Sequence, residues 1–457
     1  MKLKKNQIIN LDISDITNLG FGVGRVDGEV VFVSGAVTGE RIRAKIIKVT
    51  SSFAVGRLEE ILVPSTHRAN DRCEISKCQS CAYKSISYTH ECEIKRENVR
   101  TSFKKCGLDS ITIAPLISSP ATHHYRNKAQ YPISLSPSDE YQIGFFAPKS
   151  HRVTEAAACP LSPAPFPEIL ELLRAHFTKH KISVYDEDCG KGLLRHVYLR
   201  RGEVSGEILL TIVINGNSLP GGAELCKALV EAYPSIVGIL LNVNEKNTNV
   251  ILGDKFITLF GRDYIYDTLA GVRLKITAPS FYQVNHDCAE LLYAKARELA
   301  KPQKCDTLLD LYCGAGSIGL SMAKDCRELV GIEIVHSAVE CAKQNAIDNG
   351  ITNASFYTGD AADSERLLEN AEAIRGEKLR PDIVILDPPR QGSDEKLLRF
   401  IAALSPKRIV YISCNPQTLA RDVAILAPLG YTTNEVTPVD MFPGTGHVES
   451  VVCLARE

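Results

Sequence analysis

From about residue 8 to residue 62, apolar and polar positions alternate with a period of two, the mark of strands with one buried face. Gly20, Gly22, Gly24, Gly35 and Gly39 punctuate the run, and Asp27-Gly28 is a hairpin signal. The pattern predicts strands over residues 30–33 and 41–47, among several short strands of a small closed or OB-like barrel. Arg41, Arg43 and Lys45 fall on one face of the second strand, which suits either a solvated face or an RNA-binding one.

Residues 63–275 mix periods. A cysteine-rich loop leads to a predicted helix over residues 90–105 that carries Lys95, Arg96, Arg100, Lys104 and Lys105. Strands are predicted at residues 141–146, 195–200 and 208–214. Tyr125-Arg-Asn-Lys128 and the Arg195, Arg200, Arg201 group interleave cations with aromatics, which suits phosphate pairing with base stacking. A charged helix face is as readily explained by solvation.

Residues 276–457 alternate continuous apolar runs with helical ones. Strands at 307–311, 329–332, 383–386 and 409–413 are each followed by a helix, beginning at Ser317, at Ser337, near Lys396 and at Gln417. Repeated strand–helix units imply a doubly wound parallel sheet with ligands at the strand C-terminal ends.

Composition changes this picture little. The 457 residues are enough for about three domains. The chain is 44% hydrophobic and 23% charged, which is ordinary for globular protein. No apolar run approaches the roughly 18 residues of a membrane span, and the basic N-terminus leads into no apolar signal core. A cytoplasmic protein without membrane partners is therefore expected. A net charge of −1 excludes a uniformly basic surface, so any nucleic acid must meet local patches. Fifteen cysteines in such a chain point to reduced thiols, metal ligands or catalysis.

The chemistry-bearing residues fall at predicted strand ends. Asp310-Leu-Tyr-Cys-Gly-Ala-Gly316-Ser-Ile-Gly319 joins the first strand to the first helix and contains GxGxxG. NAD fits that motif, but Asp310 would repel a pyrophosphate and welcome a sulfonium, which favours S-adenosylmethionine. Glu333 ends the second strand, where acids commonly accept from ribose hydroxyls, and Asp360 ends the third, where it can face an adenine. Asp387-Pro-Pro-Arg390 follows the fourth strand, its two prolines fixing the backbone. Cys414 follows the fifth, immediately before Asn415-Pro416 and a helix whose dipole is expected to favour the thiolate. His447-Val-Glu449 enters a strand predicted over 448–454, and alternation places His447 and Glu449 on one face.

Together Gln283-Val-Asn285, Asp310 to Gly316, Asp387-Pro-Pro-Arg390, Ser413-Cys-Asn-Pro416 and His447-Val-Glu449 resemble the S-adenosylmethionine-dependent RNA 5-methyluridine methyltransferases. The resemblance covers essentially the whole chain. It implies a TRAM barrel over residues 1–62, a mixed central RNA-binding domain over 63–275, and a Rossmann-like class I methyltransferase domain over 276–457. It further implies a nucleophile at Cys414, a base at Glu449, and cofactor contacts at Gln283, Tyr312, Glu333 and Asp387. The barrel and the cysteines resemble the ribosomal-RNA branch, since tRNA-directed relatives often lack both; the implied substrate is a uridine of 23S rRNA and the implied state a monomer. A tRNA enzyme, a non-catalytic RNA-binding protein and an iron–sulfur oxidoreductase using NAD are the alternatives.

Cys73, Cys78, Cys81 and Cys159 form a second constellation. One CxxC with two outlying cysteines suits an iron–sulfur cluster at least as well as zinc. In the resembled family the matching four bind a 4Fe–4S cluster. This chain departs from that pattern: four residues separate Cys73 and Cys78 where some members have five, and Gln79-Ser80 replaces a common Gly-Gly. Cys92 and Cys106 are nearby spares.

Overall fold

The computed structural model describes residues 3–70, 73, 75, 78, 80–147, 150–155, 159–360 and 378–456; Gln79 lies outside them. The N-terminal alternation folds into a closed barrel of β1 (Ile8–Ile16), β2 (Phe21–Val26), β3 (Glu29–Ser34), β4 (Arg41–Val49) and β5 (Phe53–Val63), in the order β1-β2-β3-β5-β4. Ile42, Ala44 and Ile46 fill its interior while Arg41 and Arg43 point outward. Those arginines meet Asp12 and Glu60, so solvated ion pairs account for that face.

A helix, Tyr88–Lys105, follows, then β6 (Thr112–Ile113). The next sheet holds β7 (Lys128–Leu135), β8 (Tyr141–Phe146), β9 (Val153–Glu155), β10 (Leu194–Arg201), β11 (Ile208–Ile214), β12 (Ile236–Val243) and β13 (Lys255–Gly261), ordered β13-β12-β11-β10-β7-β8-β9. Helices Pro165–His180 and Gly222–Ala232 share one core with it. Its Tyr198, Leu209 and Leu240 share another with the hairpin β14 (Tyr264–Leu269) and β15 (Val272–Thr277) and with helix His286–Ala300. One continuous apolar core thus joins this sheet to the C-terminal one.

The C-terminal sheet contains β16 (Thr307–Leu311), β17 (Glu328–Glu333), β18 (Ala354–Thr358), β19 (Ile383–Leu386) and β20 (Arg408–Ser413), all parallel, with β21 (Tyr431–Thr432), β22 (Glu435–Val439) and β23 (Glu449–Arg456). Its order is β18-β17-β16-β19-β20-β23-β22-β6, with β21 pairing β23 off that path. The predicted parallel strands are present. They are buried on both faces: Leu308, Ile385 and Val410 pack into one layer, and Leu309, Leu386 and Ile409 into the other. β23 enters antiparallel between β20 and β22, and β6 arrives from far upstream to form the edge.

Several cations read as surface groups are internal. Lys95 is fully buried; its ammonium lies 2.7 Å from both Glu91 and Asp440 and donates to the Phe442 carbonyl at 3.1 Å. Removing one partner from such a buried set typically costs about 3–5 kcal/mol, because a charge is left uncompensated. Arg195 donates to the Asn244 and Lys246 carbonyls, and Arg200 to Tyr198 and Ser280. Burial is the physical reason these three do not form a solvated cationic surface.

Candidate active site

The strand C-terminal ends of the parallel sheet gather the candidate residues along one edge. After β16 the chain adopts left-handed backbone at Tyr312 (φ 67°), Gly314 (54°) and Gly316 (79°). A side chain at Gly316 would press on Leu320, Ala342 and Phe356 within 3.2 Å, whereas one at Gly314 would meet only open space. The loop therefore packs closely behind and leaves its front clear. Glu333 accepts from the Gly314 N–H at 3.0 Å and from the Val335 N–H at 2.9 Å, which fixes its carboxylate beside the loop. Asp360 is exposed and lies close enough to add its charge to the field at Tyr312.

Asp310 sits beneath this loop, 1% exposed. One carboxyl oxygen accepts from the Gly319 N–H at 3.0 Å; the other is buried and has no partner. Burial, with the Asp387 and Glu333 charges added, pushes its pKa up to about 8. Burial likewise raises Asp387 to about 7. Glu449 rises to about 8, through burial first and the Asp387 charge second. Three raised carboxyls near one another, with only Arg390 opposing at Glu449, fit a cationic ligand, and they oppose a pyrophosphate.

Asn415 ties the turn that carries Cys414 to its neighbours. Its side chain accepts from Gln417 N–H at 3.1 Å, capping helix Pro416–Leu426, and donates to the Arg390 carbonyl at 3.0 Å. Ser413 on β20 pairs with Ser450 on β23, and the next step of that ladder brings Cys414 beside Glu449. The thiol feels this. Burial, then Glu449 and Asp387, push Cys414 up to about 11, with Arg390 acting the other way. The expectation of a helix-favoured thiolate is thus corrected, because burial first and two carboxyls second outweigh the dipole. The expectation for His447 is also corrected: β23 begins at Glu449, so strand alternation does not reach His447, which is exposed while Glu449 is 7% exposed.

Gln283 lies on the segment before helix His286–Ala300, its carbonyl held at 2.8 Å by Asn127. Tyr293 on that helix, not singled out by any motif, is buried; its hydroxyl is 2.9 Å from Ser317 and also meets the Gln283 side chain. It links Gln283 to the glycine loop. Its signal in the sequence is only an apolar-face tyrosine at helical spacing, which core packing explains equally well.

The loop from Met441 to Val448, which delivers Glu449, is held by residues from far upstream in the chain. Tyr83 N–H donates to Gly444 O at 2.9 Å, Tyr125 hydroxyl to Pro443 O at 3.0 Å, and Gly444 N–H to Glu91 at 2.6 Å. At Gly446 any side chain would stand 1.9 Å from the barrel's Asn18 carbonyl.

Cys73, Cys78, Cys81 and Cys159 approach one another nearby: burial raises Cys81, and the other three thiols add to it. Cys73 and Cys81 line a cavity with His123, Pro443 and Gly444. Among the described residues, no three metal-binding side chains are drawn together as a formed metal site. Cys92 instead feels Tyr88 and Asp440, and Cys106 ends helix Tyr88–Lys105.

The parallel sheet, its glycine loop and the acidic, thiol-bearing edge define a methyltransferase. Comparison with known proteins makes this specific. Residues 236–457 match the family model for tRNA (uracil-5-)-methyltransferase, and residues 2–58 match the TRAM domain. An uncharacterized RNA methyltransferase of Clostridium acetobutylicum is 40% identical, covering 99% of this chain and 98% of its own. One from Bacillus cereus is 38% identical over the same shares. The crystal structure of Pyrococcus abyssi tRNA (uracil-54, C5)-methyltransferase with S-adenosyl-L-homocysteine superposes with a TM-score of 0.78 at 26% identity, covering 98% of this chain and 100% of that one. The chain belongs to the RNA uracil-5-methyltransferase family and is an enzyme of that class.

The raised carboxyls give a pH dependence. Each holds its proton above the unfolded pKa, so its contribution to stability is complete in acid and is lost as pH rises towards about 7–8. A cation entering the pocket reverses that preference and expels protons. Affinity for S-adenosylmethionine should therefore rise up to roughly tenfold per pH unit between about pH 6 and about pH 8. Calorimetry in buffers of differing ionisation enthalpy should show proton release; binding that is independent of pH and buffer would contradict the cationic-pocket reading.

Proposed function

We propose that the protein methylates carbon-5 of a uridine in 23S ribosomal RNA through a covalent link between Cys414 and the uracil ring. The observation that carries this reading is the convergence of Cys414, Asp387 and Glu449 on one sheet edge beside the glycine loop. Residues 1–62 serve as the TRAM barrel, 63–275 as the RNA-binding domain and 276–457 as the methyltransferase domain.

Uracil carbon-5 is too weak a nucleophile to take a methyl group from a sulfonium unaided. Once the Cys414 thiol has given its proton to solvent, addition of the thiolate sulfur to carbon-6 moves the ring's electron pair towards carbon-5 and the carbon-4 oxygen, giving an enolate. Gln283, Tyr312, Glu333 and Asp387 would hold S-adenosylmethionine, which would supply the methyl group to carbon-5 as its sulfur–methyl bond breaks and S-adenosylhomocysteine is left. Glu449 then takes the carbon-5 proton; the carbon-5–carbon-6 double bond re-forms and the sulfur leaves with its electron pair. Asp387 is one of the charges that raise Cys414, so a cation bound at Asp387 also eases thiol ionisation. Cofactor and nucleophile are coupled electrostatically. The target base must leave its stack to reach the pocket. The protein acts as a monomer in the cytoplasm.

Cys414→Ala should abolish methylation with S-adenosylmethionine binding retained. Glu449→Gln should accumulate a covalent RNA–protein adduct visible on a denaturing gel. Substantial methylation by Cys414→Ala would refute the assignment. Mapping 5-methyluridine in the ribosomal and transfer RNA of a deletion strain identifies the substrate. The second reading, a tRNA enzyme, is favoured by the matching family model and by the Pyrococcus abyssi enzyme, which spans the same full length.

Cys73, Cys78, Cys81 and Cys159 supply four thiolates, the donor set of a 4Fe–4S cluster. Methyl transfer needs no net electron, so the cluster's role is structural or RNA-contacting. Anaerobically purified protein should contain about four irons with a broad visible absorption; colourless protein loaded with zinc would refute the cluster.

A further inference from the structure

We infer that Arg126 and Lys128, backed by Arg200, form a phosphate-binding site that grips the phosphodiester beside the target uridine. The inference rests on the methyltransferase reading above and deepens it, since it names what holds the RNA backbone while the base turns out.

Arg126 precedes β7 in an isolated antiparallel bridge to Asn285, and Lys128 is the strand's first residue; both are half-buried with the buried Asn127 between them. The Asn127 side chain donates to Gln283 O at 2.8 Å, its N–H to Val284 O at 2.9 Å, and its own carbonyl accepts from Arg201 N–H at 2.8 Å. The strand entry is thereby clamped to the segment that carries Gln283. Arg200 stands opposite Lys128 in the β7–β10 register and is 1% exposed.

The cations themselves are short of partners. The Arg126 Nε is buried and donates to no acceptor, as do Nε and Nη1 of Arg200; only Arg200 Nη2 is used, by Tyr198, Ala278 and Ser280. The neighbouring Glu203 lies 3.9 Å from Arg201 and makes no ion pair with the other three. Burial, Arg200 and Arg126 together lower Lys128 to about 8. Leaving charged donors unmade inside a protein is costly, and an anion with several oxygens answers that cost directly. Arg126 also reaches the catalytic pocket: its charge acts on His447, as does that of Arg390, and Arg390 acts on Cys414 and Glu449. Base flipping rotates a nucleotide about its own phosphodiesters, so a fixed cationic grip at this border is what that motion needs.

The test uses an RNA fragment carrying the mapped uridine, with a single neutral methylphosphonate replacing the phosphate on its 5′ or its 3′ side. Wild-type protein should lose roughly tenfold in affinity for one of the two replacements. The double variant Arg126→Gln, Lys128→Gln should lose a similar factor on natural RNA and nothing more on that replacement. Its plot of log affinity against log salt should be shallower by about 0.7, with S-adenosylmethionine binding unchanged. Wild-type affinity indifferent to both replacements, or losses that simply add, would overturn the proposal. So would an unchanged salt slope with loss of the iron chromophore, since Arg126 also faces Cys81. If the variant fails to fold, the methylphosphonate result on wild-type protein still decides. Wild-type protein that binds natural RNA but does not methylate it would sink the methyltransferase reading and leave the phosphate site standing.

Discussion

Ser413 on β20 pairs with Ser450 on β23, and a one-residue slip of that ladder would carry Glu449 to the opposite face of the sheet. Everything at the reactive edge depends on this register. It is not enforced by β20 and β23 alone. The loop that precedes Glu449 is fastened by the barrel at Gly446, by Tyr83 at Gly444, by Tyr125 at Pro443, and by Lys95 at Phe442. Lys95 and Asp440 lie 345 residues apart in the chain yet meet in the interior, bridging the helix Tyr88–Lys105 to the segment that presents the base. The N-terminal half of the molecule thus serves as a brace for the strand that carries Glu449.

The second organising fact is excess negative charge. Asp310, Asp387 and Glu449 are all raised by desolvation, with only the Arg390 charge opposing at Glu449, and a protein tolerates that arrangement by keeping protons on them or by recruiting a cation. Burial first, then Glu449 and Asp387, raise the Cys414 thiol as well. A thiol kept protonated is protected from oxidation and from unproductive addition.

Much of this was legible in the residues. Alternation to residue 62 predicts the barrel, and the continuous runs at Thr307–Leu311 and Ile383–Leu386 predict parallel strands buried on both faces. The acids and Cys414 were legible because each follows such a run. What escaped is non-local. Nothing in Thr112–Ile113 announces an edge strand, since its partner β22 lies more than three hundred residues on. Lys95, Arg195 and Arg200 read as solvated or RNA-facing because a cation's burial depends on partners brought from elsewhere. The thiol was expected to ionise because the helix dipole is a local feature, whereas the opposing carboxyls come from β19 and β23. Tyr293 was missed for the same reason: its partners Gln283 and Ser317 converge only in the folded chain.

The central claim is that the Cys414 sulfur bonds transiently to carbon-6 of a uracil. The most direct measurement is mass spectrometry of the protein after incubation with S-adenosylmethionine and RNA bearing 5-fluorouridine at the target position. Fluorine cannot be abstracted as a proton, so the methylated ring should remain attached, and the linked peptide should carry it on Cys414. Full turnover without a trapped species, or attachment through another residue, would contradict the account.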